Sequence, residues 1–229
     1  MQHGHALLIR MLKERRSGWL ARTDIRMLEV GTTREPSPAQ DSTRALARFC
    51  QEHGWDFTTC DMDPENTTRA LKLFADMGVA FGGITAKGEE YISTQRRAFD
   101  AVYLDAYDFD HGQHSEERQE RYEKFLGSRI NQHDCEVMHL KAMQGLNRAG
   151  RPRCLVVIDD TWQEKPDAPW LGKGPLAVAW AVRNGWRLIP PPPDYGAVVL
   201  ELEPGYYRPY RRIARAAHRV GRRLRRRAR

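Results

Sequence analysis

Short apolar runs rich in β-branched residues alternate with helical patterns along most of this chain. The runs predict seven strands, at Ile25–Val30, Trp55–Cys60, Val79–Ile84, Phe99–Leu104, Arg153–Ile158, Trp186–Ile189 and Ala197–Leu202. Helices are expected between the first six, including Ser42–His53, Glu65–Met77, a short one from about Lys87, and Lys173–Asn184. This alternation indicates right-handed crossovers, and therefore a mostly parallel sheet with helices on both faces.

The last two predicted strands break the alternation. Only Pro190–Gly196 joins them, which is too short for a crossover helix, so they are expected to pair antiparallel. The predicted fold class is therefore α/β: a Rossmann-like, doubly wound, seven-stranded, mostly parallel sheet with a C-terminal antiparallel hairpin. We expect one domain over residues 1–205, with a helix in residues 1–22 covering the core, followed by a basic extension over residues 206–229.

The positive charge of the chain is concentrated at its C-terminal end. The net charge is +7, but Arg208–Arg229 holds 11 arginines and no acid, which leaves −4 for the rest. An acidic body disfavours nucleic acid as the general partner. For the basic segment three interpretations stay open: contact with an anionic membrane surface, contact with RNA or an acidic partner, and packing on its own body or on the second copy of a homodimer.

Cysteine usage and the N-terminal segment favour a cytoplasmic protein. Cys50, Cys60, Cys135 and Cys154 are scattered, with no C-x-x-C pair, so neither a zinc site nor a disulfide framework is expected. Met1–Leu20 is interrupted by charged residues and has no apolar core of the kind that a signal peptide or a membrane span requires.

Acidic residues follow four of the five central strands. They are Glu29 before Gly31, Asp61 after the second strand, Asp105 after the fourth, and the pair Asp159-Asp160 after the fifth. In an open parallel sheet, ligands bind at the carboxyl ends of the strands. The sequence therefore predicts a functional site at this edge of the sheet.

The string Leu28-Glu29-Val30-Gly31, followed one strand–helix–strand unit later by Asp61, resembles the cofactor motif of class I methyltransferases that use S-adenosylmethionine. The family usually has G-x-G-x-G, which is incomplete here; the missing glycines argue against a diphosphate dinucleotide. The resemblance implies S-adenosylmethionine as cofactor, bound by Glu29, Gly31, Thr32, Asp61, Met62, Gly88, Glu89 and Asp105.

The strings FDAVYLDAYD (Phe99–Asp108) and VVIDDTW (Val156–Trp162) resemble the metal-dependent O-methyltransferases, both the catechol type and the macrolide and aminocoumarin sugar type. The resemblance implies Mg²⁺ held by Asp105, Asp159 and Asp160. The catechol type has asparagine at the last of these positions, so Asp160 is closer to the sugar type. As general base the sequence offers two candidates, Asp108 and His111.

Together these features predict Mg²⁺-dependent transfer of a methyl group from S-adenosylmethionine to a hydroxyl. The expected acceptor is a sugar, an oligosaccharide or polysaccharide precursor, or a glycosylated natural product, because Trp162, Trp170 and Trp180 flank the presumed site. The run His114–Phe125 is interpreted as a solvated helix face. Two alternatives stay open: a methyltransferase acting on RNA or on another small molecule with help from the basic segment, and a non-catalytic Rossmann-like partner protein.

Overall fold

A computed structural model describes residues 3–15, 17–34, 41–95, 99–192 and 194–203. Seven strands form the main sheet: β1 (Arg26–Val30), β2 (Asp56–Asp61), β3 (Gly82–Thr85), β4 (Phe99–Leu104), β5 (Gly150–Ile158), β8 (Trp186–Ile189) and β9 (Val198–Leu202). Two short strands between them, β6 (Thr161–Trp162) and β7 (Leu171–Gly172), form a separate antiparallel ribbon.

Among the described residues, seven α-helices accompany the strands: α1 (Gly4–Arg15), α2 (Ser42–His53), α3 (Pro64–Asp76), α4 (Gly88–Thr94), α5 (Glu116–Leu126), α6 (Gln132–Ala149) and α7 (Pro175–Arg183). No helix in the described ranges is both long enough and apolar enough to cross a membrane. The basic segment 206–229 and the interpretations attached to it lie outside the described residues.

The main sheet has the strand order β3-β2-β1-β4-β5-β9-β8. The first five strands in this order run parallel, whereas β9 pairs antiparallel with both β5 and β8. The predicted fold class is confirmed, including the antiparallel hairpin at the C-terminal end. Residues Val30, Leu104 and Ile158 are in register across β1, β4 and β5, so the residues that follow them meet at one edge.

Both faces of the sheet are covered, because alternate residues of each strand point to opposite sides. On one face, α1, α2 and α3 pack on side chains such as Met27 and Ala101. On the other face, α4, α6 and α7 pack on their chain neighbours Leu28 and Val102. The near-continuous apolar strands therefore belong to a sheet that is buried on both sides.

The chain around α7 departs from the prediction. The expected helix Lys173–Asn184 begins two residues later, at Pro175. Proline is suited to the first turn of a helix because it lacks the N–H that would be unpaired there, and Gly174 precedes it as the N-cap. Lys173 therefore lies outside the helix, directly after the ribbon strand β7.

Candidate functional site

A narrow cleft, with an open volume of about 40 Å³, lies at the carboxyl ends of β1, β2 and β4. Six of the eight residues predicted to bind the cofactor line it: Gly31, Thr32, Asp61, Met62, Gly88 and Asp105.

Two glycines allow the backbone to close around this cleft. Gly31 has φ +98°, and a Cβ there would lie 2.3 Å from the carbonyl oxygen of Asp105. A Cβ on Gly88 would lie 2.1 Å from Cγ1 of Val30. A side chain at either position would displace the strand ends that form the cleft.

Asp61 lies at the end of β2 with each carboxylate oxygen already held by a backbone amide. Oδ2 accepts from the Thr32 amide at 3.0 Å, and Oδ1 accepts from the Asp63 amide at 2.8 Å. Burial raises the pKa of Asp61, although these hydrogen bonds act against the rise. Because a carboxylate oxygen has two lone pairs, both oxygens keep acceptor capacity toward the cleft.

The other two predicted cofactor residues, Glu29 and Glu89, are not among the residues that line the cleft. Glu29 is fully buried and accepts hydrogen bonds from the hydroxyls of Ser42, Thr43 and Thr59. The hydrogen bonds from Ser42 and Thr43 thus link Glu29 on β1 to the first turn of α2. Glu89 lies partly buried in the first turn of α4.

The three aspartates predicted as metal ligands do come together. Asp105 follows β4, and Asp159 and Asp160 follow the neighbouring strand β5, where the Asp159 amide donates to the carbonyl of Leu104 at 3.0 Å. The Tyr103 hydroxyl, buried beneath them, bonds both Asp105 Oδ2, at 3.1 Å, and Asp159 Oδ2.

A lysine ammonium lies between two of these aspartates, where the sequence predicts Mg²⁺. Lys173 Nζ is 2.5 Å from Asp105 Oδ1 and 3.0 Å from Asp160 Oδ2, and its side chain is only 4% exposed. Burial by itself would lower the pKa of Lys173, but the surrounding carboxylates, Asp105 foremost, raise it well above its usual value, so the group is charged.

The residues at this edge therefore do not fit a divalent cation as they are arranged. Within the part of the chain that the structure describes, no group of three His, Cys, Asp or Glu side chains has the geometry to hold a metal ion. Lys173 was missed because the predicted helix included it. The available signal was Gly172-Lys173-Gly174, a lysine between two glycines downstream of an acid pair.

Helix α1, from the N-terminal part of the chain, also contacts these aspartates. The Gly4 amide donates to Asp159 Oδ1 at 3.0 Å, and a Cβ on Gly4 would lie 2.7 Å from that oxygen. The buried His5 ring packs edge-on against Tyr103, with centroids 6.1 Å apart. No local pattern in the sequence indicates these contacts.

The two candidate bases lie in different surroundings. Asp108 lines the cleft and pairs with Arg34 at 3.5 Å and Arg118 at 3.6 Å. Burial would raise the pKa of Asp108, but Arg34, Lys173 and Arg118 together hold it below its usual range, which makes it a weak base. His111 is exposed in the loop after β4 and is not among the residues that line the cleft.

One face of α5 covers the cleft, although the pattern of His114–Phe125 indicates a solvated helix. Arg121 and Tyr122 line the cleft; Arg121 lies 3.9 Å from Asp63 Oδ2, and the Tyr122 hydroxyl bonds the Asp108 amide. The signal that could have found this face is Arg118, Arg121 and Tyr122 at helical spacing i, i+3, i+4.

Of the three tryptophans, Trp162 is in strand β6 of the ribbon, two residues after Asp160. Its ring centroid is 5.6 Å from that of Phe109, in the loop after β4. Trp170 and Trp180 pack against the core layer under α6 and α7. Trp162 and Phe109 therefore form an aromatic pair between the ribbon and the loop after β4.

No family model and no curated protein matches this chain. Solved structures do. TrmN from Thermus thermophilus has a TM-score of 0.51 at 13% identity, over 86% of this chain and 48% of that one. The T. thermophilus 16S rRNA N2 G1207 methyltransferase RsmC, in complex with AdoMet and guanosine, has a TM-score of 0.51 at 13% identity, over 87% and 42%.

A third structure, the ribosomal protein L11 methylase from Lactobacillus delbrueckii subsp. bulgaricus, has a TM-score of 0.50 at 12% identity, over 85% of this chain and 75% of that one. This chain thus spans less than half the length of the first two proteins. At such identities the likeness shows the fold: a Rossmann-like sheet of the kind found in these methyltransferases.

Proposed function

We propose that this chain transfers a methyl group from S-adenosylmethionine to a hydroxyl of a saccharide or a glycosylated small molecule. The observation that carries the proposal is the position of Asp105. Asp105 lines the cleft together with Gly31 and Asp61. The carboxylate of Asp105 also contacts Lys173 Nζ and the Tyr103 hydroxyl, and that hydroxyl in turn bonds Asp159. A donor in the cleft and an acceptor at the cluster would meet at this residue.

The residues of the cleft suit S-adenosylmethionine. Asp61 would accept hydrogen bonds from a ribose diol, and the close backbone at Gly31 and Gly88 would bound the nucleoside. Arg34 and Arg121 line the same cleft and would pair with the carboxylate of the methionine part. When bound, the cofactor supplies an electrophilic methyl group on a sulfonium.

The chain's own contribution is alignment of the acceptor. Methyl transfer is a displacement, and a fixed approach of the two reacting groups supplies much of the rate enhancement. In this proposal, the carboxylates beside Lys173 would orient the hydroxyl, and one of them would accept its proton. Trp162 and Phe109 provide the aromatic surface on which the C–H face of a sugar would pack.

Calorimetric titration with S-adenosylmethionine tests the donor half of the proposal. The wild-type chain should bind one equivalent, and Asp61→Ala should weaken binding by at least about tenfold, because two buried diol hydroxyls would lose their acceptor. Asp76→Ala, at the exposed C-terminal end of α3, is the matched control and should bind like the wild type.

The acceptor half is tested with radiolabelled cofactor and a panel of free sugars, glycosides and RNA. Label in a saccharide fraction is the expected result. Label in RNA alone would move the acceptor to the alternative class, and absence of cofactor binding would favour a non-catalytic partner protein.

A further inference from the structure

The Lys173 ammonium occupies the space that a metal ion bound by Asp105 and Asp160 would need. Its nitrogen lies 2.5 Å from Asp105 Oδ1 and 3.0 Å from Asp160 Oδ2. Mg²⁺ takes carboxylate oxygens at about 2.0–2.1 Å in near-octahedral geometry. An ion between the same two oxygens would overlap the ammonium, and a dication next to a buried ammonium would be repelled.

The main chain fixes Lys173 in this position. Its amide donates to the carbonyl of Asp160 at 2.8 Å, so the lysine and the acid lie opposite each other at the open end of the ribbon, directly beyond its paired residues. A Cβ on Gly172 would lie 1.8 Å from that same carbonyl oxygen, and one on Gly174 would lie 2.8 Å from Thr161 Oγ1. The two glycines permit the tight closure that brings the ammonium to the acids.

Both side-chain oxygens of the third aspartate, Asp159, already accept hydrogen bonds from other groups of the chain. Asp159 Oδ1 accepts from the amides of Gly4 and Asp160, both at 3.0 Å, and Oδ2 accepts from the Tyr103 hydroxyl. Donors from Gly4, Tyr103 and Asp160 thus occupy both oxygens of Asp159, although burial and the charge of Asp105 still raise the pKa of this carboxyl to about 7. All three acidic side chains have partners that belong to the chain itself.

We infer that Lys173 is the resident cation of this edge and takes the place of a divalent metal, so that the acid cluster works without Mg²⁺ or Mn²⁺. An ammonium has three N–H donors, and the described residues give Lys173 two carboxylate partners. The remaining N–H is the group that would hold the acceptor oxygen. That last assignment rests on the proposed function; the replacement of the metal does not.

Titration with Mn²⁺, followed by the electron paramagnetic resonance signal of the free ion, tests the replacement on the full chain. The wild type should leave the free-ion signal unchanged. Lys173→Met keeps the length of the side chain but removes its charge, so Asp105 and Asp160 lose their cation; this variant should bind one Mn²⁺ per chain at least about tenfold more tightly than the wild type.

The same variant should unfold at a lower temperature than the wild type and should regain part of the loss when Mn²⁺ is added, because the ion neutralises the exposed carboxylates. Lys165→Met, an exposed lysine in the loop between the two ribbon strands, is the matched control and should show neither effect. The inference is overturned if Lys173→Met folds and acquires no Mn²⁺ site.

The titration of the wild type keeps the inference testable even if Lys173→Met does not fold. If the wild type itself binds one Mn²⁺ per chain and Asp160→Asn abolishes that binding, Lys173 does not replace the metal. Neither measurement requires methyl transfer, so a failure of the proposed function would be recognised separately, by the absence of S-adenosylmethionine binding.

The acceptor assignment has its own readout once transfer is observed. The rate should be unaffected by a chelator. Lys173→Met should lower kcat/KM for the acceptor by at least about tenfold while leaving the Kd for S-adenosylmethionine unchanged, because the lysine would position the acceptor oxygen. An unchanged kcat/KM in this variant would contradict the contact between Lys173 and the acceptor.

Discussion

Glu29 is a fully buried carboxyl group that faces hydroxyl donors. Ser42 Oγ donates at 2.6 Å, Thr59 Oγ1 at 2.7 Å and Thr43 Oγ1 at 2.8 Å. Burial raises the pKa of Glu29 from 4.5 to about 7; the hydroxyls act against the rise, and the charge of Asp105 adds to it. This residue was expected to touch the cofactor, but its contacts make it a support for the turn at Gly31.

The raised pKa of Glu29 predicts a pH dependence of stability. Between pH 4.5 and 7 the folded state holds a proton that the unfolded state has lost, so the free energy of unfolding falls as the pH rises. The contribution is fully present below the unfolded pKa and is lost through the folded one. The shift to about 7 corresponds to about 3 kcal/mol across this window.

Glu29→Gln removes this titration. The difference in unfolding free energy between wild type and variant, measured in urea at pH 4.5 and at pH 7.5, should change by about 3 kcal/mol in favour of the variant at the higher pH. Other carboxyl groups titrate in both proteins and cancel. The exposed Glu52, also in α2, provides the control Glu52→Gln, which should show no such change. Parallel pH profiles of wild type and Glu29→Gln would contradict the assignment.

The β6–β7 ribbon closes on a glycine that leaves no space for a side chain. Gly172 has φ +82°, and a Cβ there would meet the carbonyl oxygen of Asp160 at 1.8 Å. Gly127, the C-cap of α5, has nearly the same dihedral, φ +78°, but nothing lies within 4 Å of the point that a Cβ would occupy there. Comparing substitutions at these two glycines therefore distinguishes the cost of a left-handed backbone from the added cost of a steric clash.

Gly127→Ala should therefore lower the free energy of unfolding by about 1–2 kcal/mol, which is the cost of a left-handed residue with a side chain. Gly172→Ala should lower it by more than this, because the ribbon must also open, and it should abolish the contact of Lys173 with Asp160. Chemical denaturation of both variants checks the ordering. Equal losses would mean that the ribbon tolerates a side chain at Gly172.

The elements that could be predicted from the sequence are those with a long enough pattern. The bounds of α2, β4 and β8 were predicted to the residue, and those of β1, β2 and β9 to within one residue. The two-residue strands of the ribbon have no periodicity to detect. The strand ends placed Asp105, Asp159 and Asp160 together. Lys173 is brought among them by the ribbon, whose close approach at Gly172 and Gly174 depends on steric contacts with Asp160 and Thr161.

One sheet separates two apolar layers in this protein. Leu46 on α2 belongs to one layer and Leu146 on α6 to the other, and both are completely buried. The two layers are connected by the strands, whose alternate side chains belong to one layer and to the other. Stability is therefore expected to be a property of the sheet with both of its layers, and to be lost as one unit.

Truncation of one leucine in each layer tests this. Leu46→Ala and Leu146→Ala should each lower the free energy of unfolding by about 2–5 kcal/mol, because each leaves a cavity in a close-packed layer. The losses should add in the double variant to within about 0.5 kcal/mol, since the sites share no contact. Leu176→Ala, exposed on α7, should have little effect. Two separate transitions in denaturant would contradict a single cooperative unit.

The hydrogen bond from Gly4 to Asp159 joins residues 155 positions apart. A contact of such high sequence separation forms only after the intervening chain has been made and has folded. The residues that line the cleft extend to Tyr122, whereas the group of aspartates is completed by Lys173. During synthesis, every residue of the cleft lining is thus made before the lysine that lies among the acids.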